Sequence, residues 1–319
     1  MIAVSLSTDT TKATLRAFDA ASGNADVIEL RIDLMREYDL GQLIRERPCP
    51  VIVTNRPTRE GGRFVGPEQD RIQPLREAIN LGADYIDIEE FAADLIDNRS
   101  SSSLIVSHHD FSAMPDDPDA LRRRLEERGA NAIKVAGMAS HPEDALTALR
   151  LYESASLPAI SIAMGEHGLA SRILALRHPN CLLTYCALDT GETVAPGQIP
   201  VATMLHVYQA RKIGPETKAI GVISNASISN DLIADLNAGL RNSGLEAVAI
   251  PLRLVRPDEI RLRTFADGGF EGFWLMEGGT DLKDAGSGPV FASCRKGSIE
   301  ISAAATLDEA LSAATAHLS

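Results

Sequence analysis

The sequence lacks three features that would place it in a well-known class of protein. Its four cysteines, Cys49, Cys181, Cys186 and Cys294, form no C-x-x-C pair and have no histidine at a zinc-site interval, so free thiols in a reducing compartment are the simplest interpretation. No run reaches the roughly 18 apolar residues of a membrane span, and the N-terminus turns polar too early for a signal peptide. We therefore expect a soluble cytoplasmic protein with no membrane partner.

The chain also lacks an excess of positive charge and any internal repeat. Lysine and arginine number 31 against 44 aspartates and glutamates, which leaves a formal net charge of −13. Proteins that follow the phosphates of nucleic acid need clustered cations, so nucleic acid is not an expected partner. Hydrophobic residues make up 45% of the 319 residues and charged residues 24%. These proportions are typical of a globular chain, and the length favours one large domain plus a smaller one.

Short apolar runs rich in β-branched residues alternate with helical patterns through the first two thirds of the chain. This alternation predicts a parallel sheet of the α/β class, and eight strand-helix units match a closed (β/α)8 TIM barrel in count and length. An open doubly wound sheet is the alternative. The predicted strands are Ile2–Leu6, Val27–Leu34, Pro50–Asn55, Ala83–Glu89, Leu104–His109, Ala132–Met138, Pro158–Met164 and Cys181–Ala187.

A second, smaller α/β domain is predicted after the linker "IGPETK". A strand begins at Ala219, followed by the helical stretch "NDLIADLNAGLRNSG" and strands at "EAVAIPLRL" and "GFEGFWLM". The segment from Gly278 to Gly288 is expected to be a loop, and "TLDEALSAATAHLS" a closing helix. The predicted domains are therefore residues 1–212 and 213–319.

Unusual polar residues collect where the barrel strands end, which is where barrel enzymes place their catalytic groups. Each alone has an ordinary explanation: a surface lysine, an internal ion pair or loop chemistry. Burying all of them together would be costly unless an anionic, hydroxylated ligand paired with them. The candidates are Glu29, Arg31 and Asp33 in "IELRID", Arg56 and Glu60 in "TNRPTREGGRF", His108 and His109 in "SHHDF", Lys134 in "IKVAGM", Arg172 in "AMGEHGLASR" and Gln198 in "APGQIP".

These motifs, in this order and spacing, resemble type I 3-dehydroquinate dehydratase over roughly residues 1 to 212. The resemblance implies a TIM barrel that removes water from 3-dehydroquinate to give 3-dehydroshikimate in the shikimate pathway. It implies a lyase that uses neither metal nor organic cofactor and that forms a homodimer. Adjacent strand residues face opposite ways, so only one of the two histidines can point into the barrel.

Roles for individual residues follow from the resemblance. Lys134 would form the Schiff base, and His109, the histidine directly before Asp-Phe, would be the general acid and base. Glu60 would orient His109, and Arg172 would bind the substrate carboxylate. The remaining substrate contacts implied are Ser5, Glu29, Arg31, Arg56 and the lid residue Gln198. One departure is Val194, which stands where the family often has serine before "APGQ".

The segment after residue 212 resembles the substrate domain of shikimate dehydrogenase in fused dehydratase-dehydrogenase enzymes. Its working residues are absent: Ile228, Asn230 and Thr280 stand where the paired serines and the lysine are expected. No G-x-G-x-x-G loop follows, so no dinucleotide site is predicted. The segment is interpreted as a degenerate domain that could cover the barrel, support a dimer or bind a pathway metabolite.

Two further hypotheses remain open for the barrel. A Schiff-base enzyme of the aldolase kind would use a similar lysine on a different ketone. A non-enzymatic metabolite-binding or regulatory protein of the same pathway would fit the degenerate second domain. The arginine-rich strand ends disfavour the first, and the complete set of Lys134, His109 and Glu60 disfavours the second.

Overall fold

The computed structural model describes residues 1–97, 100–189, 194–255, 257–276, 290–295, 298–303 and 307–318. Its first sheet consists of eight parallel strands, β1 (Ile2–Leu6), β2 (Val27–Arg31), β3 (Val51–Thr54), β4 (Tyr85–Glu89), β5 (Ser103–Asp110), β6 (Ala132–Met138), β7 (Ala159–Met164) and β8 (Thr184–Ala187). They lie in the order β7-β6-β5-β4-β3-β2-β1-β8, and a parallel bridge between Ala159 and Cys181 brings the two edges together. The result is a nearly closed barrel.

Strand sequences of this kind are apolar on both faces because one face lines the barrel and the other supports the helices. The inner cluster includes Ala3, Ile52, Ile105 and Ile160, and it fills the lower part of the barrel. The outer cluster is larger and joins the opposite strand faces to the helices. Charged residues near the carboxyl ends of the strands interrupt this pattern, so the fold gathers them at one end of the barrel.

Six α-helices of the described chain pack around the barrel, and side-chain caps mark where several of them begin. Thr10, Asp39 and Asp117 each accept a hydrogen bond from a backbone N–H of the first turn, as N-caps do. The helices are α1 (Thr11–Ala21), α2 (Leu40–Glu46), α3 (Glu68–Asn80), α4 (Pro118–Glu127), α5 (Asp144–Ser154) and α6 (Leu169–Leu174).

The structure differs at two places from the expectation of one α-helix after every strand. A 3-10 segment, Glu90–Leu95, follows β4, and a single π-helical turn, Thr203–Val207, follows β8. The chain between β4 and β5 is short, so a complete helix with two connecting loops does not fit there. The barrel is therefore covered less evenly by helices than the sequence pattern indicates.

A five-stranded sheet with its own helices follows the barrel. Its elements are β9 (Lys218–Ser224), α7 (Asn230–Asn242), β10 (Ala247–Arg253), α8 (Glu259–Asp267), β11 (Phe270–Leu275), β12 (Val290–Arg295), β13 (Ser298–Ala303) and α9 (Leu307–Leu318). The strand order is β10-β9-β11-β12-β13; the first three strands are parallel, whereas β12 runs antiparallel to both of its neighbours. Helix α8 and the β12-β13 pair were not anticipated from the sequence, and the expected Gly278–Gly288 loop lies outside the described residues.

The second sheet packs against the barrel on the side of α5 and α6. Arg261 donates two hydrogen bonds to Glu143, at 2.7 and 3.0 Å, and Arg177 donates to the carbonyl of Gly269 at 2.8 Å. Gly268 lies so close to Leu146 that a β-carbon there would overlap it. One continuous apolar cluster runs through both parts of the molecule. Among the helices that the structure describes, none has the length and apolar character needed to cross a membrane.

Candidate active site

A pocket of about 500 Å³, including its open mouth, lies at the carboxyl ends of the barrel strands. Eight of the nine residues predicted as site residues line it, and the ninth, Ser5, lies beneath and donates a hydrogen bond to Glu29. The tertiary structure thus brings the predicted set together in one place. The charged or polar lining residues are Glu29, Arg31, Arg56, Glu60, His109, Lys134, Arg172, Tyr185 and Gln198.

Lys134 reaches the floor of this pocket from the middle of β6. Its side chain is only 6% exposed because alternation along the strand points it into the barrel. The Nζ atom lies 2.8 Å from Asp87 Oδ2 and 3.4 Å from Glu29 Oε1. It is also 3.2 Å from the hydroxyl of Tyr185 and 4.4 Å from the centre of that ring. The amine is therefore held between two carboxylates and a phenol at the bottom of an open cavity.

The register between β5 and β6 decides which histidine shares the pocket with Lys134. Ser107 lies opposite Lys134 and His109 opposite Ala136, so both face inward with the lysine. His108 lies opposite Val135 and faces the helical layer, where Glu90 and Arg124 are its charged neighbours. Burial and the nearby cations Arg56 and Lys134 hold the pKa of His109 well below its usual range. The imidazole in the pocket is thus neutral at neutral pH.

Glu60 holds His109 from the loop after β3. Its Oε2 accepts the backbone N–H of His109 at 3.1 Å and lies 3.0 Å from Nδ1 of the ring. The loop turns at Gly61, whose backbone has the left-handed conformation with φ of 77°. Gly61 also lies so close to the ring of Phe111 that a β-carbon at this position would overlap the ring. Burial raises the pKa of Glu60 to about 7, although Arg56 acts in the opposite direction. Ionised Glu60 accepts Nδ1–H and leaves Nε2 as the basic nitrogen.

Arg172 is a buried cation without a carboxylate partner among the described residues. Its terminal nitrogens lie 3.0 Å from the carbonyl of Pro196 and 3.5 Å from that of Tyr185. The Nε atom is buried, and within the described ranges no hydrogen-bond acceptor meets it. Burial lowers the pKa of this guanidinium to about 10, so it stays charged at neutral pH. A fixed, uncompensated guanidinium beside an open pocket is suited to an anionic ligand.

Two carboxylates in β4 were missed in the sequence analysis. Asp87 and Glu89 point into the barrel and accept hydrogen bonds from Arg56, at 2.7 and 2.6 Å. Burial alone raises the pKa of Asp87, but Arg56 and Lys134 together hold it below its ordinary value. The signal was the alternation in "YIDIEE", where two acids two residues apart interrupt an apolar strand as they do in "IELRID".

The remaining predicted residues are partly committed to internal bonds. Arg31 forms a two-point ion pair with Asp33, at 2.7 and 2.8 Å. Glu29 accepts from Ser5 and from Thr54, the latter at 3.0 Å, and Lys134 and Arg31 hold the pKa of Glu29 below its usual range against the effect of burial. These contacts fix the floor and one wall of the pocket.

The loop that carries Gln198 closes the remaining side. The side-chain oxygen of Gln198 accepts the backbone N–H groups of Val194 and Ala195, at 3.0 and 3.3 Å. The same loop crosses the turn after β7, where the N–H of Gly165 donates to the carbonyl of Pro196 at 3.2 Å. Gln198 therefore organises its own loop at the pocket edge. In the described part of the chain, no group of three or more His, Cys, Asp or Glu side chains is arranged to hold a metal ion.

The sequence matches the type I 3-dehydroquinase family over residues 2–215. The chain belongs to this family. A bifunctional 3-dehydroquinate dehydratase/shikimate dehydrogenase of Arabidopsis thaliana chloroplasts is 36% identical over 211 residues, which is 62% of this chain and 35% of that protein. A 3-dehydroquinate dehydratase of Methanothrix thermoacetophila is 37% identical over 203 residues, 63% of this chain and 87% of its own length. The family resemblance predicted from the motifs is thereby confirmed.

A likeness of fold extends beyond the type I 3-dehydroquinase barrel. One similar solved structure is titled dehydroquinate dehydratase and shikimate dehydrogenase from S. pombe AroM. The superposition includes 94% of this chain and 63% of the S. pombe chain, with a TM-score of 0.57 and 19% identity. At that identity the likeness concerns the fold alone. Because it spans 94% of the chain, it includes most of the second sheet as well as the barrel. Ile228 and Asn230 lie just before and at the start of α7, and Thr280 lies outside the described residues.

Proposed function

We propose that this chain is a hydro-lyase that converts 3-dehydroquinate to 3-dehydroshikimate through a Schiff base on Lys134. The observation that carries the proposal is the shared orientation of Lys134 and His109 on neighbouring strands of one pocket, below a buried Arg172 that has no acidic partner in the described chain. Family membership supports the same reaction. The shikimate pathway role follows from the substrate and product.

Covalent catalysis begins at the amine. Neutral Lys134 attacks the substrate ketone; a proton relayed by His109 to the hydroxyl of the resulting carbinolamine lets that hydroxyl leave as water, and a protonated imine remains. The imine withdraws electrons from the adjacent carbon, C2, so that its proton becomes acidic enough for an imidazole to remove. The electron pair freed at C2 then expels the C1 hydroxyl, and hydrolysis of the imine returns Lys134. Removal of water leaves the net oxidation state of the substrate unchanged, so the reaction needs no oxidant or reductant.

Proton transfer is assigned to His109. The neutral imidazole takes the C2 proton at Nε2, and the imidazolium then protonates the departing hydroxyl so that water leaves. Glu60 stabilises the charged ring through Nδ1–H, as an acid partner does for a catalytic histidine. Burial next to Arg56 and Lys134 disfavours the charged ring at rest, which keeps the base available.

Substrate binding is assigned to the walls of the pocket. Arg172 binds the carboxylate through the donor that the protein itself leaves unused. We assign the ring hydroxyls to Glu29, Arg31 and Gln198, while the contacts of Ser5 and Arg56 favour a role in holding Glu29, Asp87 and Glu89 in position. Val194 lines the pocket in place of serine and offers no hydroxyl there.

Reductive trapping tests this proposal. The protein is mixed with 3-dehydroquinate and borohydride, digested, and the peptide that contains Lys134 is weighed by mass spectrometry. We expect a stoichiometric adduct on Lys134, none in Lys134→Ala, and an unchanged adduct in the exposed control Lys212→Ala. Turnover is followed in parallel by the absorbance of the conjugated product.

Three outcomes would contradict the proposal. An adduct with other ketones but not with 3-dehydroquinate would favour an aldolase-like enzyme. Saturable binding without turnover or adduct would favour a metabolite-binding protein. Equal turnover of His109→Ala and the wild-type chain would contradict the choice of His109 over His108.

The homodimer and the cytoplasmic location expected from the sequence stay predictions. So do the division into domains 1–212 and 213–319 and the roles considered for the second one. Light scattering of the full chain at micromolar concentration would determine the oligomeric state.

A further inference from the structure

The hydroxyl of Tyr185 occupies a position that the reaction scheme above leaves without a role. Tyr185 comes from β8 and reaches across the barrel to the same point as Lys134 from β6. Its oxygen lies 3.2 Å from Lys134 Nζ and 3.3 Å from Glu29 Oε1. The phenol therefore bridges the amine and a carboxylate, and it touches the atom that must lose a proton before it can attack the ketone.

We propose that Tyr185 is a catalytic residue that relays a proton from Lys134 to Glu29 before the amine attacks its substrate. This inference rests on the proposed Schiff-base function. In the relay, one N–H bond of the ammonium breaks as an O–H bond forms on Tyr185. The original O–H bond of Tyr185 breaks as an O–H bond forms on Glu29. The net result is a neutral amine, a neutral carboxylic acid and an unchanged phenol.

The distances favour this route over a direct one to Glu29. Lys134 Nζ lies 3.4 Å from Glu29 Oε1 but 3.2 Å from the phenol oxygen, and that oxygen lies 3.3 Å from Glu29 Oε1, so each step through the phenol is the shorter one. Burial and the adjacent Glu29 and Asp87 raise the pKa of the Tyr185 hydroxyl well above its ordinary value. A phenolate therefore does not accumulate, and the two transfers occur together.

Asp87 is nearer to the amine but is the poorer acceptor. Arg56 Nη2 and the hydroxyl of Ser107 both donate to Asp87 Oδ1 at 2.7 Å, and these bonds stabilise the ionised form. They persist after Lys134 loses its charge. The corresponding cation beside Glu29 is Arg31, which is already paired with Asp33 at two points. Glu29 thus loses most of its stabilising positive charge when the amine becomes neutral, and it accepts the proton more readily.

The test compares Tyr185→Phe with the wild-type chain, since phenylalanine keeps the ring and removes only the hydroxyl. The measured quantity is the rate at which borohydride traps the imine formed between Lys134 and 3-dehydroquinate. Removing one proton-transfer group should slow this rate by about 100-fold or more at pH 7. Tyr208→Phe is the control, because Tyr208 is equally buried but lies outside the pocket. Thermal unfolding of both variants shows that the fold is kept.

Two further readouts separate a relay from a mere packing role. At high pH hydroxide can take the proton from the amine directly, so the deficit of Tyr185→Phe should shrink as pH rises, whereas a displaced lysine would keep the same deficit at every pH. Slower imine formation should also bring the kinetic isotope effect of C2 deuteration on turnover closer to unity. A trapping rate equal to wild type, or a deficit that does not change with pH, would overturn the relay. Absence of any adduct in the wild-type chain would instead overturn the proposed function.

Discussion

At the scale of single residues, the pocket separates groups whose charge is compensated from one whose charge is not. Lys134 and Arg56 each lie against two carboxylates, and Arg31 is paired with Asp33. Arg172 is equally buried but meets only backbone carbonyls in the described chain. A buried charge without a partner is costly, so a carboxylate bound at Arg172 would relieve a cost that the other cations do not have.

Replacement of Arg172 by lysine should therefore weaken substrate binding. The ammonium keeps the charge but loses the planar fork, so we expect KM for 3-dehydroquinate to rise by about 10- to 100-fold, with a smaller change in kcat. Steady-state kinetics measures both. Arg177→Lys, which alters a guanidinium at the contact with Gly269 and Glu271 outside the pocket, should leave KM unchanged. A fall in kcat of about 10- to 100-fold with no change in KM would contradict the assignment of Arg172 to substrate binding.

Glu60 should set the acidic limb of the pH profile. Its pKa is raised to about 7, so it gains a proton as pH falls through neutrality and no longer stabilises charge on His109. We expect kcat/KM to decline about tenfold per pH unit well below pH 7. In Glu60→Gln the limb near pH 7 should disappear, with lower activity throughout. Glu90→Gln, beside the outward His108, is the control; persistence of the limb in Glu60→Gln would refute the assignment.

At the scale of elements, β4 is a strand that carries two fully buried carboxylates. Asp87 and Glu89 are fully buried between apolar neighbours, and in the described chain their compensating cations are Arg56 just after β3, Lys134 on β6 and Arg71 on α3. Three separate parts of the barrel thus depend on one strand. The arrangement links catalysis to stability, because the same carboxylates hold the amine.

Asp87→Asn should destabilise the whole barrel. It leaves Arg56 and Lys134 partly uncompensated inside the protein, and the free energy of unfolding should fall by about 3 to 5 kcal/mol. Equilibrium unfolding in urea gives the value. Asp94→Asn removes an acid that also pairs with an arginine, Arg128 at 3.0 Å, but is 74% exposed, so its effect should stay below about 1 kcal/mol. Similar losses of unfolding free energy in both variants would show that burial does not control how much each ion pair stabilises the protein.

At the scale of the whole molecule, the barrel and the second sheet share one apolar cluster. Arg261, Arg177 and Gly268 join them at specific points near α5 and just beyond α6. Helix α6 carries Arg172 and also contacts β10, so the second sheet supports the part of the barrel that positions Arg172. The second sheet therefore contributes to the packing of the barrel whether or not it binds a ligand.

This shared core predicts cooperative unfolding. The wild-type chain should show a single calorimetric transition, because separating the two sheets would expose apolar surface on both. Gly268→Leu should divide or broaden the transition, since its side chain would displace Leu146. Gly214→Leu is the control, as no atom lies within 4 Å of a β-carbon there. Two transitions in the wild-type chain would show that the sheets unfold independently.

The sequence by itself determined the eight barrel strands, the family and eight of the charged or polar residues that line the pocket. These are local properties: apolar runs specify strands, alternation specifies faces, and motif spacing specifies which strand end carries which group. Tertiary structure alone decided that Asp87 holds Lys134, that Arg172 has no acidic partner among the described residues and that Tyr185 touches the amine from 51 residues away. Pairing, burial and pKa depend on contacts between distant strands, and local sequence does not encode those distances.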